Sequence, residues 1–271
     1  MSPGRAWLLS AAIVSLSACA TEDVAPGRSN TEAASVNLQL AVEYMKLDNL
    51  PVAREKMERA LKQDPQNAIV QSTAGVLYER LGNDSLAEKH YAAGARLGRK
   101  DPNVQNTYAG FLCRKGRNAE GEKLFVEVAR NPLYQVPEVA YTNAGVCVRS
   151  LSPERAEQYF QQALVIQPNA AEALLQIGDV QLERGDAIAA SSTVRRYLNA
   201  NKPTPEVYWL GVRAERKAGD SMAAAGYARK LQGEFPGSEQ AQMLRSGIPR
   251  CATPFPCGLT CRRHRRHRPH Q

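Results

Sequence analysis

Gly75-Val76-Leu77-Tyr78, followed by Ala87-x-x-x-Tyr91, is the stretch that predicts the fold, because versions of it return about every 34 residues. In its first part, a small residue usually stands three positions before a large one: Ala41/Tyr44, Gly75/Tyr78, Ala109/Leu112, Gly145/Val148, Gly178/Gln181 and Gly211/Ala214. In its second part, a small residue stands four positions before an aromatic or other large residue: Ala53/Met57, Ala87/Tyr91, Gly121/Phe125, Ala156/Phe160, Ala190/Val194 and Ala223/Tyr227.

Self-similarity at this period is typical of tetratricopeptide repeats, in which each repeat is a pair of antiparallel helices, A and B. The small residues allow the two helix backbones to approach, and the large residues fill the space beside them. Since one such pair cannot bury its own apolar face, neighbouring repeats must stack. The predicted fold is therefore all-α, a right-handed α-solenoid of about six tetratricopeptide repeats with a C-terminal capping helix.

Prolines, glycines and polar turns set the predicted boundaries of the repeats. The solenoid is predicted over residues 34–245, with repeats at about 34–67, 68–101, 102–136, 137–170, 171–203 and 204–237 and a cap at 238–245. In the first repeat, helix A is predicted near Ala34–Lys46 and helix B near Leu50–Gln63. Pro51 then lies in the first turn of helix B, where its missing N–H is tolerated.

The N-terminus has the pattern of a bacterial lipoprotein signal peptide. Arg5 precedes an apolar run from Ala6 to Leu16, which is too short to span a bilayer comfortably. The string Leu16-Ser17-Ala18-Cys19 resembles a lipobox, so residues 1–18 are predicted to be the signal peptide and Cys19 the lipidated residue. A plain signal peptide with a chance cysteine is the alternative.

The residues after Cys19 predict a location and a linker. An Asp after the lipidated cysteine commonly retains lipoproteins in the inner membrane, and this chain has Ala20 there. The expected location is therefore the periplasmic face of the outer membrane, held by the lipid anchor. Residues 19–33 are polar and contain Pro and Gly, so they are predicted to be a flexible tether.

Charge is concentrated at the other end of the chain. Of the 35 Lys and Arg residues, five lie in the last ten positions, which leaves 30 basic and 27 acidic residues elsewhere. A folded part this close to neutral carries no electrostatic footprint for nucleic acid. Residues 246–271 are predicted to be a disordered basic tail. Its cysteines and histidines match no standard zinc spacing, so no metal is predicted, although a metal site there is the alternative.

Motifs of enzymatic chemistry are absent from the sequence. It contains no P-loop, G-x-G-x-x-G, H-E-x-x-H or G-x-S-x-G string. His90 is the only histidine before the tail and has no acid or nucleophile partner in the pattern, so it is predicted to be a surface or packing residue. We therefore expect no catalytic residues, no cofactor and no small-molecule substrate.

Cys113 and Cys147 stand one repeat period apart, late on helix A of adjacent repeats. Consecutive A helices pack side by side, and nearby thiols tend to pair in an oxidising periplasm. A bridge needs Cα atoms within about 7 Å, closer than typical helix axes. The pair is therefore a disulfide candidate, and two buried small apolar residues are the alternative.

A helices line the concave face of such a solenoid, and that face usually holds a peptide. Asn offers both a donor and an acceptor to a peptide backbone, and Tyr supplies rigid contact area with a polar tip. The candidates for contact with a partner are Asn106, Arg114, Tyr141, Asn143, Arg149, Glu172, Asp179 and Tyr208. The alternative for each is a solvated groove wall or packing within the repeat.

Two blocks in the third and fourth repeats carry a family resemblance. They are Asn106-Thr-Tyr-Ala-Gly-Phe-Leu-Cys113 and Tyr141-Thr-Asn-Ala-Gly-Val-Cys147, the second preceded by Asn131-Pro132-Leu133-Tyr134 and Pro137. Together with the lipobox and the six repeats, they resemble the type IV pilus biogenesis lipoproteins, the PilF/PilW pilotins. The resemblance covers about Cys19 to Arg250, and the tail departs from it.

The resemblance implies a protein without catalytic activity. Members of that family bind the outer-membrane secretin and promote its localisation and multimer assembly, and a monomer is expected. Two other functions stay open on the sequence alone. One is a repeat-scaffold lipoprotein that organises peptidoglycan-remodelling enzymes, and the other is a redox-linked module that uses Cys113 and Cys147.

Overall fold

A computed structural model describes residues 26–246, and all the regular secondary structure in that range is helical. The thirteen helices in this range are α1 Pro26–Lys46, α2 Leu50–Gln63, α3 Ala68–Arg80, α4 Asp84–Leu97, α5 Pro102–Arg114, α6 Asn118–Ala129, α7 Pro137–Val148, α8 Pro153–Ile166, α9 Ala171–Glu183, α10 Ala187–Ala200, α11 Pro205–Ala218, α12 Ser221–Glu234 and α13 Glu239–Ser246. Odd-numbered helices up to α11 are the A helices of the six predicted repeats, and α13 lies where the cap was predicted.

The helix bounds match the predicted repeats closely, with differences at the two ends of the described range. Helix α2 begins and ends at the predicted residues, Leu50 and Gln63. Helix α1 begins at Pro26, so residues 26–33 are helical and the prediction of a flexible tether is wrong for them. A proline in the first turn of a helix costs no hydrogen bond, and the run Glu32-Ala33-Ala34 favours helix. Ser246, assigned to the tail, is the last residue of α13.

The signal peptide, Cys19, residues 19–25 and residues 247–271 lie outside the described residues. The predictions made for them stay predictions.

The helices form two compact units, residues 26–97 and residues 98–246. The first unit contains the hairpins α1–α2 and α3–α4, and the second contains the four remaining hairpins and α13. The division falls at Gly98, which precedes Arg99-Lys100-Asp101-Pro102. These residues are charged or unfavourable to helix, and therefore separate the hydrophobic patterns on either side.

Glycines of the A helices receive the aromatic rings of the B helices in the same repeat. A Cβ placed on Gly75 would lie 2.6 Å from Cγ of Tyr91, and one on Gly211 would lie 2.8 Å from Cδ2 of Tyr227. Gly145 has the same relation to Phe160, with 2.8 Å to Cδ1. At these small-residue positions, the large residue of the partner helix therefore occupies the space that a side-chain methyl group would fill.

Gly145→Ala is expected to lower the free energy of unfolding by about 1–3 kcal/mol, because the added methyl group overpacks a filled core. The ring it meets belongs to Phe160, which is 0% exposed and packed among the buried residues of α7 and α9. Urea unfolding followed by circular dichroism measures the change.

Gly226→Ala is the matched control for this variant. Gly226 lies in the interior of α12, and a Cβ there would meet nothing within 4 Å. The same substitution should therefore raise stability by about 0.5–1 kcal/mol through helix propensity. If the two variants shifted stability in the same direction, the steric reason given for the repeat pattern would be wrong.

Basic side chains near the ends of A helices reach back to the preceding A helix. In the first unit, Arg80 donates to the carbonyl oxygen of Met45 at 2.6 Å and to Asp48 at 2.8 Å. In the second unit, Lys217 donates to the carbonyl oxygen of Leu182 at 2.8 Å. The carbonyl oxygens of Met45 and Leu182 also accept from the backbone N–H groups of Asp48 and Gly185, so the basic side chains supply a second partner at each helix end.

Within the second unit, the A helices form a continuous row. The backbones of α5 and α7, of α7 and α9, and of α9 and α11 lie close together, and α13 adjoins α11. Successive B helices in this unit meet through long side chains, such as Tyr159 of α8, which donates to Glu122 of α6 at 2.8 Å. The A helices of consecutive repeats therefore approach one another more closely than the B helices do.

Candidate functional site

A polar network joins three successive A helices, α7, α9 and α11. Arg149, which follows the last residue of α7, donates to Gln176 at 2.8 Å and to Glu183 at 2.6 Å on α9. Asp179 of α9 accepts a hydrogen bond from Arg213 of α11 at 2.8 Å, and its other oxygen lies 4.0 Å from Arg149. The side chains of Arg149 and Asp179 are only 14% and 19% exposed, so these charges are partly desolvated and well ordered.

Three predicted contact residues belong to this network. They are Arg149, Asp179 and Glu172, which accepts from Gln176 at 2.8 Å. Sequence reasoning did not identify Glu183 and Arg213. A signal for them was present, because Arg149 and Glu183, like Asp179 and Arg213, are opposite charges 34 residues apart, one repeat period.

Asn106 and Asn143 also come together, on α5 and α7. The amide nitrogen of Asn143 lies 3.4 Å from the side-chain oxygen of Asn106, and both side chains are half-buried. An asparagine pair of this kind keeps further donors and acceptors available. It therefore fits the predicted role of gripping an extended backbone.

Arg114 and Tyr141 are the remaining predicted contact residues on α5 and α7. Arg114 is the exposed last residue of α5, and its Nη1 folds back to 3.1 Å from the place a Cβ on Gly110 would occupy. Tyr141 is half-buried, stacks on Tyr159 of α8 with ring centroids 6.4 Å apart, and packs on residues of α6. Tyr141 therefore contacts B helices on both sides, α6 and α8.

Tyr208 is not on a binding surface, so its prediction as a contact residue is wrong. It is 3% exposed and packs against Tyr227, Phe235 and helix α13. Its hydroxyl donates to Glu234 at 3.0 Å. Burial, with this hydrogen bond, raises the pKa of Tyr208 to about 12. The cap covers this face of α11, which makes Tyr208 a core residue.

Cys113 and Cys147 are joined by a disulfide between α5 and α7, with Cα atoms 5.4 Å apart. Gly121 on α6 makes room for the bridge, since a Cβ there would collide with Sγ of Cys113. Asn118 of α6 donates its side-chain amide to the carbonyl oxygen of Cys147. The bridge therefore ties the third repeat to the fourth beside the asparagine pair.

His90 has a packing role. It is half-buried, its ring stacks on Tyr78 with centroids 5.2 Å apart, and Nδ1 lies 2.8 Å from Oε1 of Gln71. Burial, with a smaller contribution from Lys89, lowers the pKa of His90. Over residues 26–246 there is no group of His, Cys, Asp and Glu side chains arranged to hold a metal ion. None of the helices in this range combines the length and apolar character needed to cross a membrane.

The chain is similar to known proteins at the level of both the repeat and the whole sequence. The tetratricopeptide repeat family matches residues 38–102. The type IV pilus assembly protein PilF of Pseudomonas aeruginosa is 25% identical over 247 residues, covering 89% of this chain and 98% of that protein.

Two solved structures extend the similarity to three dimensions. The crystal structure of PilW, described as a widely conserved type IV pilus biogenesis factor, gives a TM-score of 0.69 at 26% identity and covers 78% of this chain and 98% of PilW. The Pseudomonas aeruginosa PilF structure gives a TM-score of 0.65 at 23% identity, covering 81% of this chain and 100% of that one.

The helical hairpins and their period define the fold class of the chain as an all-α solenoid of helical repeats, and the tetratricopeptide repeat family matches part of it. Repeat scaffolds of this class mediate contacts between proteins and are typically non-enzymatic. Within this fold class, the chain is similar to PilF and PilW, which are described as a type IV pilus assembly protein and a type IV pilus biogenesis factor.

Proposed function

We propose that this protein is an outer-membrane pilotin, which binds subunits of the type IV pilus secretin and promotes their localisation and multimer assembly without catalysing a reaction. The observation that carries the proposal is the correspondence with PilF and PilW over 98% of the length of each. A match confined to the repeats of one region would support no more than a general scaffold.

The polar surface of the second unit supports a role in binding protein. The asparagine pair on α5 and α7 and the network across α7, α9 and α11 place donors and acceptors along consecutive repeats. Ordered side chains lose little entropy when a partner binds, which favours affinity. An extended segment of the secretin subunit is the occupant that such a row accommodates.

The lipid anchor would determine where a bound secretin subunit is held. Acyl chains on Cys19 would hold the protein at the outer membrane, since each buried methylene contributes about 0.8 kcal/mol. A bound secretin subunit is then confined near that membrane, which raises its local concentration. Assembly of the ring, which needs many subunits at one place, becomes favourable there.

Two variants in the living cell test this proposal. Cys19→Ser removes the acceptor of the lipid, and Ala20→Asp keeps the lipid but adds the inner-membrane retention signal. Both are expected to deplete secretin multimers from the outer membrane, measured by fractionation and immunoblotting without heating. Cys251→Ser serves as the control, because it removes another cysteine without touching the anchor, and should leave multimers at wild-type levels.

The proposal fails if Cys19→Ser leaves outer-membrane multimers unchanged while the protein itself is released from membranes. It also fails if the purified wild-type chain captures no secretin subunit from detergent-solubilised membranes.

A further inference from the structure

A cationic cavity of about 500 Å³ lies beside the C-terminal ends of α9 and α11. Its lining residues are Leu182, Glu183, Arg213, Arg216 and Lys217. Three of these five side chains are basic and one is acidic. The cavity is continuous with the network of α7, α9 and α11, since Glu183 and Arg213 belong to both.

The acidic groups around the cavity are already engaged. Glu183 accepts from Arg149 at 2.6 Å, and Asp179 accepts from Arg213 at 2.8 Å. Arg149 and Asp179 bond directly to lining residues of the cavity, to Glu183 and Arg213 respectively. With these two added, the cavity has four positive side chains and two negative ones. The excess of positive charge is therefore local and is not neutralised by these neighbours.

Arg216 carries the uncompensated charge. Lys217 donates to the carbonyl oxygen of Leu182, so its ammonium group already has a partner. Arg216 is exposed, and within residues 26–246 its side chain has no hydrogen bond or ion pair. The dipole of α11 favours basic residues in its last turn, which accounts for Arg216 and Lys217. Arg213 lies a turn earlier and is directed to α9, so the dipole does not account for all three basic residues.

We infer that this cavity binds an acidic segment of the protein partner, with a carboxylate at Arg216 and an apolar side chain next to it. The carboxylate would form a charge-assisted, bidentate contact with the guanidinium group. The aliphatic stems of Arg213 and Lys217, together with Leu182, provide the apolar wall. The inference rests on the proposed function for the identity of the partner, which would be the secretin subunit.

The chain's own tail does not fit this cavity. The last ten residues carry five arginines and no Asp or Glu, so the cavity would repel them. The occupant is therefore expected to come from another molecule.

Binding of a fluorescein-labelled peptide in which Glu alternates with Leu and Ser tests the inference on the purified full chain. Fluorescence anisotropy should detect binding of this peptide, and a counterpart with Gln in place of every Glu should bind at least about tenfold more weakly. Arg216→Glu should weaken the Glu peptide by about tenfold or more, because two like charges then face each other. Raising the salt concentration should weaken the wild-type complex.

Arg229→Glu is the matched control. Arg229 is exposed on α12 of the same repeat, and the substitution changes the net charge of the chain by the same amount. It should leave peptide binding within about twofold of wild type, since exposed charges beyond a screening length contribute little. Equal binding of the Glu and Gln peptides, or equal weakening by both variants, would overturn the inference.

Secretin capture by the same variants separates this inference from the proposed function. Reduced capture by Arg216→Glu and normal capture by Arg229→Glu would support both. Normal capture by Arg216→Glu would overturn the acidic-segment site and leave the pilotin function standing. Loss of capture already in the wild-type chain would overturn the pilotin function, while the peptide result would still decide the site. Binding to vesicles of anionic lipid that Arg216→Glu abolishes, without binding of the Glu peptide, would assign the cavity to a membrane and overturn the inference.

Discussion

Phe160→Ala is expected to lower the free energy of unfolding of the second unit by about 3–5 kcal/mol, the largest effect of any single substitution considered for this chain. Phe160 is 0% exposed and lies in the core formed by α7, α8 and α9, with Ala144, Val148 and Val180 among its buried neighbours. Truncation removes the ring from a closely packed core and leaves a cavity, because helices held on several sides cannot collapse into the space. Urea unfolding followed by circular dichroism measures the loss.

Ile188→Ala provides the comparison for a large apolar residue outside the core. Ile188 stands in the first turn of α10 and is 76% exposed. Its removal should change stability by no more than about 0.5 kcal/mol. A loss of less than about 1 kcal/mol for Phe160→Ala would contradict the packing described for the fourth repeat.

Removal of the disulfide should have the second largest effect. The double variant Cys113→Ala/Cys147→Ala is expected to lose about 3–4 kcal/mol, because the bridge closes a loop with a sequence separation of 34 residues and restricts the unfolded chain. Chemical unfolding of the wild type and the double variant, each with and without reductant, measures the difference in the free energy of unfolding. The variant itself should be insensitive to reductant.

The control for this experiment keeps both sulfur atoms. In a background where Cys251, Cys257 and Cys261 are replaced by Ser, reductant acts on the bridge without interference from the tail. Reduced protein should then fall toward the stability of the double variant, and any remaining gap measures the packing of the two thiols. Reductant that left the stability of this background unchanged would contradict a contribution of the bridge.

The repeat pattern predicted most of the fold because the pairing of a small residue with a large one recurs many times in the sequence. Gly75 with Tyr91, and Gly145 with Phe160, meet in the structure as small and large partners of one hairpin. A single copy of this pair would be weak, but correlated copies determine period, helix pairing and bounds together. The start of α1 at Pro26 was not predicted, because residues 26–33 lie outside the apolar repeat pattern from which the helix bounds were taken.

The candidate site was predicted less completely, since side-chain direction depends on neighbours that the sequence does not place. Tyr208 was expected in the groove, but α13 and Phe235 cover it. Conversely, Arg213 and Glu183 became visible as part of a network only through their contacts with Asp179 and Arg149. Charge pairs one period apart would have revealed them, so this spacing is a useful signal in other repeat sequences.

The backward reach of Arg80 to Met45, and of Lys217 to Leu182, has a consequence for how the chain matures. A polypeptide synthesised from its N-terminus presents α1 before Arg80 and α9 before Lys217. The carbonyls of Met45 and Leu182 can already accept from the backbone N–H groups of Asp48 and Gly185, so each new helix end gains its second, side-chain partner only from the following repeat. Local opening during synthesis should accordingly be easier at the most recently made helix end than at the earlier ones, which already have both partners.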